Sequence, residues 1–146
     1  FATGCGALAV PRFVERYGNV PVLLIGLALL GVGFVWLADV EGCETYMLSV
    51  CLPMIFIGLG QGLAMSPLTN LGIDGVDCKN TGAASGFVNV MHQIGGAIGF
   101  SLMVSSSDGI TDSTLRFTHS MMIATLLILS ALVVTLFFQY TKFLSK

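Results

Sequence analysis

The stretch GFVNVMHQIGGAIGF, residues 86 to 100, decides how this chain is read. Asn89, His92 and Gln93 interrupt an otherwise apolar run that also holds Gly86, Gly95, Gly96 and Gly99. Three readings compete: a glycine-rich phosphate loop, a metal or catalytic histidine, or one face of a buried helix. A dinucleotide fingerprint needs a preceding strand, a tight turn into a helix and an acidic residue about 20 positions later. GLGQG (58–62) and GGAIG (95–99) each lie midway along a long apolar segment, with no strand pattern and no such acid. The phosphate-loop reading fails on context.

Composition carries the choice further. Of 146 residues 55% are hydrophobic and only 10% charged, and the mean hydropathy is +0.90. A soluble domain carries roughly 25% charged residues, so this chain cannot clothe an aqueous surface and reads as a membrane protein. A net charge of −2 without any basic cluster offers nothing to neutralise phosphates, which excludes a nucleic-acid partner. Cys5, Cys43, Cys51 and Cys78 form no CxxC pair and meet no histidine at zinc spacing. They read as free thiols or small packing residues, and neither a metal nor a cofactor is implied. The chain opens at Phe1 inside an apolar run, without the charged leader of a signal peptide, and is expected to be a piece of a longer polypeptide.

A helix crossing the bilayer core needs about 20 mostly apolar residues. Four stretches qualify, at about 20–38, 47–72, 82–104 and 119–140, and residues 1–11 make a partial fifth. The connectors 12–19, 39–46, 73–81 and 105–118 and the tail 141–146 hold nearly all the charge. Alternating them between two sides puts Arg12, Arg16, Lys79, Lys142 and Lys146 on one side and only Arg116 on the other. Asp39, Glu41, Glu44, Asp108 and Asp112 collect with Arg116. The positive-inside rule then places the first side, with the carboxy terminus, in the cytoplasm. Tyr17, Tyr46 and Tyr140 fall at span ends, where interfacial aromatics belong. The expectation is an all-α membrane protein, a polytopic helical bundle.

The spans are of two kinds. Segments 20–38 and 119–140 are broadly apolar, whereas 47–72 and 82–104 are glycine-rich and carry Gln61, Asn70, Asn89, His92 and Gln93. Amides and imidazoles in hydrocarbon cost several kcal/mol unless they find partners or water, so the second pair is expected to be central and the first peripheral. At 100° per residue, Gly82, Gly86, Asn89, Gln93 and Gly96 share one arc of about 80°. Ser85, His92 and Gly99 lie beside it, and Phe87, Val90, Met91, Ile94 and Ile98 lie opposite. One face of this helix is small and polar. Glycines at the spacing of Gly82/Gly86 and Gly95/Gly99 serve close helix packing. Asn89 and Gln93 either bond across such a seam or line a cavity. His92 lies about 15 Å into its span, where an ionisable group is a functional candidate, with a neutral histidine bonded to a neighbouring helix as the competing reading. Gln61 divides in the same way between lining a pathway and packing beside the Gly58/Gly62 pair. Pro53 and Pro67 each remove a helical hydrogen bond and favour bends.

These residues together resemble a known family. GLGQGLAMSPLTN (58–70) followed by GAASGFVNVMHQIGGAIG (82–99) is similar to the carboxy-terminal half of a major facilitator superfamily transporter, nearest to the fourteen-span drug:proton antiporters of the EmrB/QacA type. GALAVPRFVERYGNVPVLLIG (6–26) resembles the superfamily's cytoplasmic loop motif, with Arg12, Glu15, Arg16 and Gly18 matching its charged core. The basic residues that often follow that glycine are replaced by Asn19, Val20 and Pro21. The resemblance implies part of the carboxy-terminal six-helix half of the fold, the partial helix 1–11 being the tenth span and the others the eleventh to fourteenth. It places 47–72 at the central cavity and 82–104 between the two halves. Where the family usually shows Arg before Gln93, His92 substitutes a pH-dependent charge for a permanent one.

The implied function is part of a proton-coupled secondary exporter of lipophilic compounds in the cell membrane, not an enzyme, working by alternating access. Candidate pathway residues are Gln61, Asn89, His92 and Gln93. Gly58, Gly62, Pro67, Gly82, Gly86, Gly95, Gly96 and Gly99 are packing or hinge positions. Its partners would be the bilayer, the amino-terminal half of the same transporter, a lipophilic substrate and protons. All eight acidic residues fall in loops or at span ends, so the coupling carboxylates are expected in that other half. The alternative is a membrane-embedded scaffold or enzyme subunit, which would need a His/Asp/Glu cluster at one depth. His92 and His119 are expected at different depths.

Overall fold

In the computed structural model, which describes residues 2–38 and 47–144, the elements are helices joined by short turns. They run α1 (Ala2–Tyr17), α2 (Asn19–Ala38), a five-residue π-helical turn (Met47–Cys51), α3 (Leu52–Gly72), α4 (Thr81–Ser106) and α5 (Ser113–Leu144). Four of them are long and apolar enough to cross a bilayer: Asn19–Ala38, Leu52–Gly72, Thr81–Ser106 and Ser113–Thr141. The connector 39–46, with Asp39, Glu41, Cys43, Glu44 and Tyr46, lies outside the described residues, as does Lys146.

Two connectors are shorter than the charge pattern implies. The segment expected as a loop over 12–19 is helical through Tyr17, leaving Gly18 alone between α1 and α2. Phe13 and Tyr17, one turn apart, stack at 6.4 Å and extend the helix past its apolar part. Gly18 then turns the chain with φ +85°, and its N–H donates to the Val14 carbonyl at 2.8 Å, a left-handed helix cap. At the far end, α5 begins at Ser113 and not near 119. Asp112 Oδ1 accepts the Thr114 N–H at 2.8 Å and the Leu115 N–H at 3.3 Å, capping donors that an α-helix start leaves free.

The centre of the bundle is α3, packed on α2 along one side and on α1 along another. Its glycines divide the work. A Cβ built on Gly60 would stand 2.7 Å from the Gly26 carbonyl and 2.8 Å from the Leu30 nitrogen, both on α2. One built on Gly58 would stand 2.7 Å from the Ala2 Cβ of α1, and one on Gly62 would strike the Thr3 carbonyl. Such backbone approach is how helices gain van der Waals contact in lipid, where no hydrophobic force draws them together. Pro53 and Pro67 are fully buried. α2 also packs on α5.

Within the described residues the burial falls on α2 and α3 and not on α4. None of the residues of α4 is buried, while α2, expected at the periphery, lies between α3 and α5 and buries Val22, Leu23, Gly26, Gly33 and Leu37. Gly26 and Gly33 cause this, because they let an otherwise lipid-like helix approach α3 backbone to backbone. α4 touches α3 near its start and α5 near its end. There Ser107, buried, shares a hydrogen bond of 2.8 Å with Ser120 of α5.

Side-chain bonds define two ends of the bundle. Asn70 Nδ2 of α3 donates to Asn19 Oδ1 of α2 at 3.3 Å, bringing the 73–80 turn to the same end as Gly18. Thr118 Oγ1 of α5 donates to the Ala38 carbonyl at 3.3 Å, closing the opposite end. Arg12, Arg16 and Lys79 thus share an end and Arg116 lies at the other.

Candidate functional site

α3 and α4 are antiparallel and meet where Gly72 faces Val88, whose Cγ2 would be 2.5 Å from a Cβ on that glycine. A larger residue at 72 would push α4 away. Further along, the two helices enclose a groove of about 300 Å³. Met65, Leu68 and Thr69 line it from α3, and Ser85, Gly86, Val88, Asn89 and His92 line it from α4. The α3 wall is effectively apolar, because Thr69 spends its hydroxyl on the Met65 carbonyl at 3.0 Å. The α4 wall is polar: Ser85, Asn89 and His92, at i, i+4 and i+7, follow one side of the helix. None of the three makes a hydrogen bond with a described residue. His92 is 11 residues into α4, roughly 16 Å along its axis.

The groove unites two of the four pathway candidates, Asn89 and His92, and leaves two beside it. Gln61 is exposed on α3, one turn from Met65 along the stripe Gln61, Met65, Leu68, Gly72. The register set by Gly72 and Val88 puts it level with Gly99, about 10 Å beyond His92 along the axis. Gln93 is exposed on the adjoining stripe of α4. Apart from the backbone of α4 itself, no described heavy atom lies within 4 Å of a Cβ built on Gly82, Gly86 or Gly96 along that side, or on Gly95 away from it. Gly99 meets only Leu127 of α5, at 3.6 Å. The α3 glycines are thus filled by neighbours within the chain, and those of α4 are open.

Sequence reading did not single out Met65, Leu68, Thr69 or Val88 as part of a site. The signal was present in the i, i+4, i+7, i+11 stripe running from Gln61 to Gly72, which repeats the helical period on the face opposite α4. The charged motif is placed differently from a loop. Arg12, Glu15 and Arg16 ride on the last turns of α1, all exposed, and the Arg16 guanidinium stands 5.6 Å from the Tyr17 ring centroid. Among the described residues no group of three His, Cys, Asp or Glu side chains is arranged to hold a metal, and Cys51 and Cys78 are free thiols.

Residues 1–100 match the family model described as Major Facilitator Superfamily. The chain belongs to the major facilitator superfamily. It is therefore a multi-pass membrane protein of a family of transporters and not of enzymes. Similar superfamily proteins include the cephamycin export protein CmcT of Amycolatopsis lactamdurans, 29% identical over 68% of this chain and 21% of that protein. A multidrug resistance protein B homolog of Mycobacterium tuberculosis is 29% identical over 84% of this chain and 22% of its own length. The colistin resistance protein EmrB of Acinetobacter baumannii is 30% identical over 72% of this chain and 20% of that protein. The chain spans about a fifth of the length of these curated relatives. No solved structure matches it.

Proposed function

We propose that the chain is the carboxy-terminal part of a proton-coupled exporter of lipophilic compounds, of the fourteen-span EmrB/QacA type, working by alternating access. The observation that carries this reading is the α3–α4 groove, where Asn89 and His92 stand without a hydrogen-bond partner among the described residues, inside a helix long enough to span a bilayer. Intramembrane polar groups are costly and mark substrate or ion paths. The printed names of the relatives, an export protein and a multidrug resistance homolog, agree with efflux.

On this reading α1, α2 and α3 form a fixed wall, and the open stripe of α4 from Gly82 to Gly96 faces the other half of the transporter. Gln61, Asn89, His92 and Gln93 line the path, with Pro67 bending the gating helix. The coupling carboxylates belong to the other half, since the described acidic residues, Glu15, Asp74, Asp77, Asp108 and Asp112, lie in turns or near helix ends. The end holding Arg12, Arg16 and Lys79 faces the cytoplasm, together with the carboxy terminus.

The test is Gln61→Ala and Gln93→Ala in the complete protein, with efflux assayed in inverted vesicles. Altered efflux of at least one lipophilic substrate at normal expression is expected. Unchanged transport of every substrate tested would reduce both residues to packing.

A further inference from the structure

We infer that the α3–α4 groove selects amphipathic acids, holding an ionised carboxylate on the α4 wall and an apolar body on the α3 wall. This rests on the reading of the groove as the substrate path, and it names the substrate's charge. The two walls differ in kind. Met65 and Leu68 offer hydrocarbon and sulfur, and Thr69 has turned its hydroxyl to its own helix. Opposite them, Ser85, Asn89 and His92 hold a hydroxyl, a carboxamide and an imidazole with no described partner. Each can donate a hydrogen bond whatever the protonation state of the imidazole. The rise of 1.5 Å per residue spreads them over about 10 Å of one helix side.

Among the described residues no group lining the groove is a carboxylate. From α3 it is faced by Met65, Leu68 and Thr69, and from α4 by Ser85, Gly86, Val88 and Asn89, so His92 is the one ionisable side chain among the described residues that line it. Asp74, Asp77 and Lys79 belong to the turn before α4, at least 16 Å from His92 along the axis. A cationic amine entering the groove finds no counter-charge. A carboxylate finds up to three donors. Hydrogen bonds to an ionised group are the stronger kind, and more so away from water.

The test uses the complete transporter in nanodiscs and tritiated 2-naphthylacetic acid, with its uncharged methyl ester as the matched control. Equilibrium binding is compared for the parent protein and for His92→Phe, Asn89→Ala and Leu68→Ala. We expect the acid to bind more tightly than the ester. His92→Phe should cost the acid about tenfold or more in affinity and leave the ester within about twofold. Leu68→Ala should weaken both ligands alike. Equal binding of acid and ester by the parent protein, or equal losses of both in His92→Phe, would overturn the proposal. Because binding is read without transport, selective binding with no efflux would sink the exporter reading and keep this one. Efflux without selectivity would do the reverse.

Discussion

Two glycines set the tolerances of this bundle, for different reasons. Gly60 sits where α2 and α3 touch backbone to backbone, and the atoms nearest a built Cβ, at 2.7 and 2.8 Å, are the Gly26 carbonyl and the Leu30 nitrogen. Neither can swing aside as a side chain would. Gly60→Ala should therefore separate the helices and cost about 1–3 kcal/mol, as overpacking does. A lower thermal midpoint of the detergent-solubilised transporter would report it. Gly18 has open space around it but a φ of +85°. Gly18→Ala should cost about 1–2 kcal/mol through backbone strain alone. Gly4, helical and equally open, is the control: Gly4→Ala should leave the midpoint unchanged or slightly raised.

At the level of elements, α3 combines a tight glycine seam with a proline that breaks its own ladder. Pro67 has no N–H to give the Leu63 carbonyl, so the ladder of α3 lacks one bond at a fully buried ring. Pro67→Ala should restore that bond, and slower amide hydrogen exchange across 63–71 is the expected reading. Exchange at the parental rate would mean that packing, and not the missing bond, sets the protection of this segment. The helices themselves were legible in the sequence, because length and hydropathy are properties of each segment alone. Partners were harder to read. Gly26 and Gly33 sit among leucines and valines, so α2 looked like a lipid-facing helix until its approach to α3 was seen. The reverse held for α4, whose small polar face announces a partner without saying which chain segment supplies it. The ends of α1 and α5 are not legible in the charge pattern, because charge does not stop a helix: Arg12–Tyr17 and Ser113–Thr118 are helical beyond the apolar pattern. Of the site, Asn89 and His92 were visible as polar intruders; Met65 and Leu68 were not, since apolar residues on a membrane helix carry no mark of what they face.

At the scale of the whole molecule, the Asn19–Asn70 and Ala38–Thr118 bonds fix which connectors share an end, and the basic residues sort with them. Orientation follows as a prediction. In a background with the native cysteines replaced by serine, Arg116→Cys should react with an impermeant maleimide in intact cells. Lys79→Cys should react only after the membrane is opened. The opposite pattern would invert the topology. The single residue between α1 and α2 has a mechanical meaning as well. Consecutive Cα atoms are about 3.8 Å apart, so a joint made of Gly18 alone has no slack. Sliding α1 past α2 by one turn, about 5.4 Å, would have to unwind a helix end. α4 hangs instead from connections of eight residues (73–80) and six residues (107–112), whose extended reach is roughly 20–29 Å. Freedom of movement is thus issued unequally along the chain: the hairpin of α1 and α2 moves as a strut, and the helix that carries His92 moves on tethers.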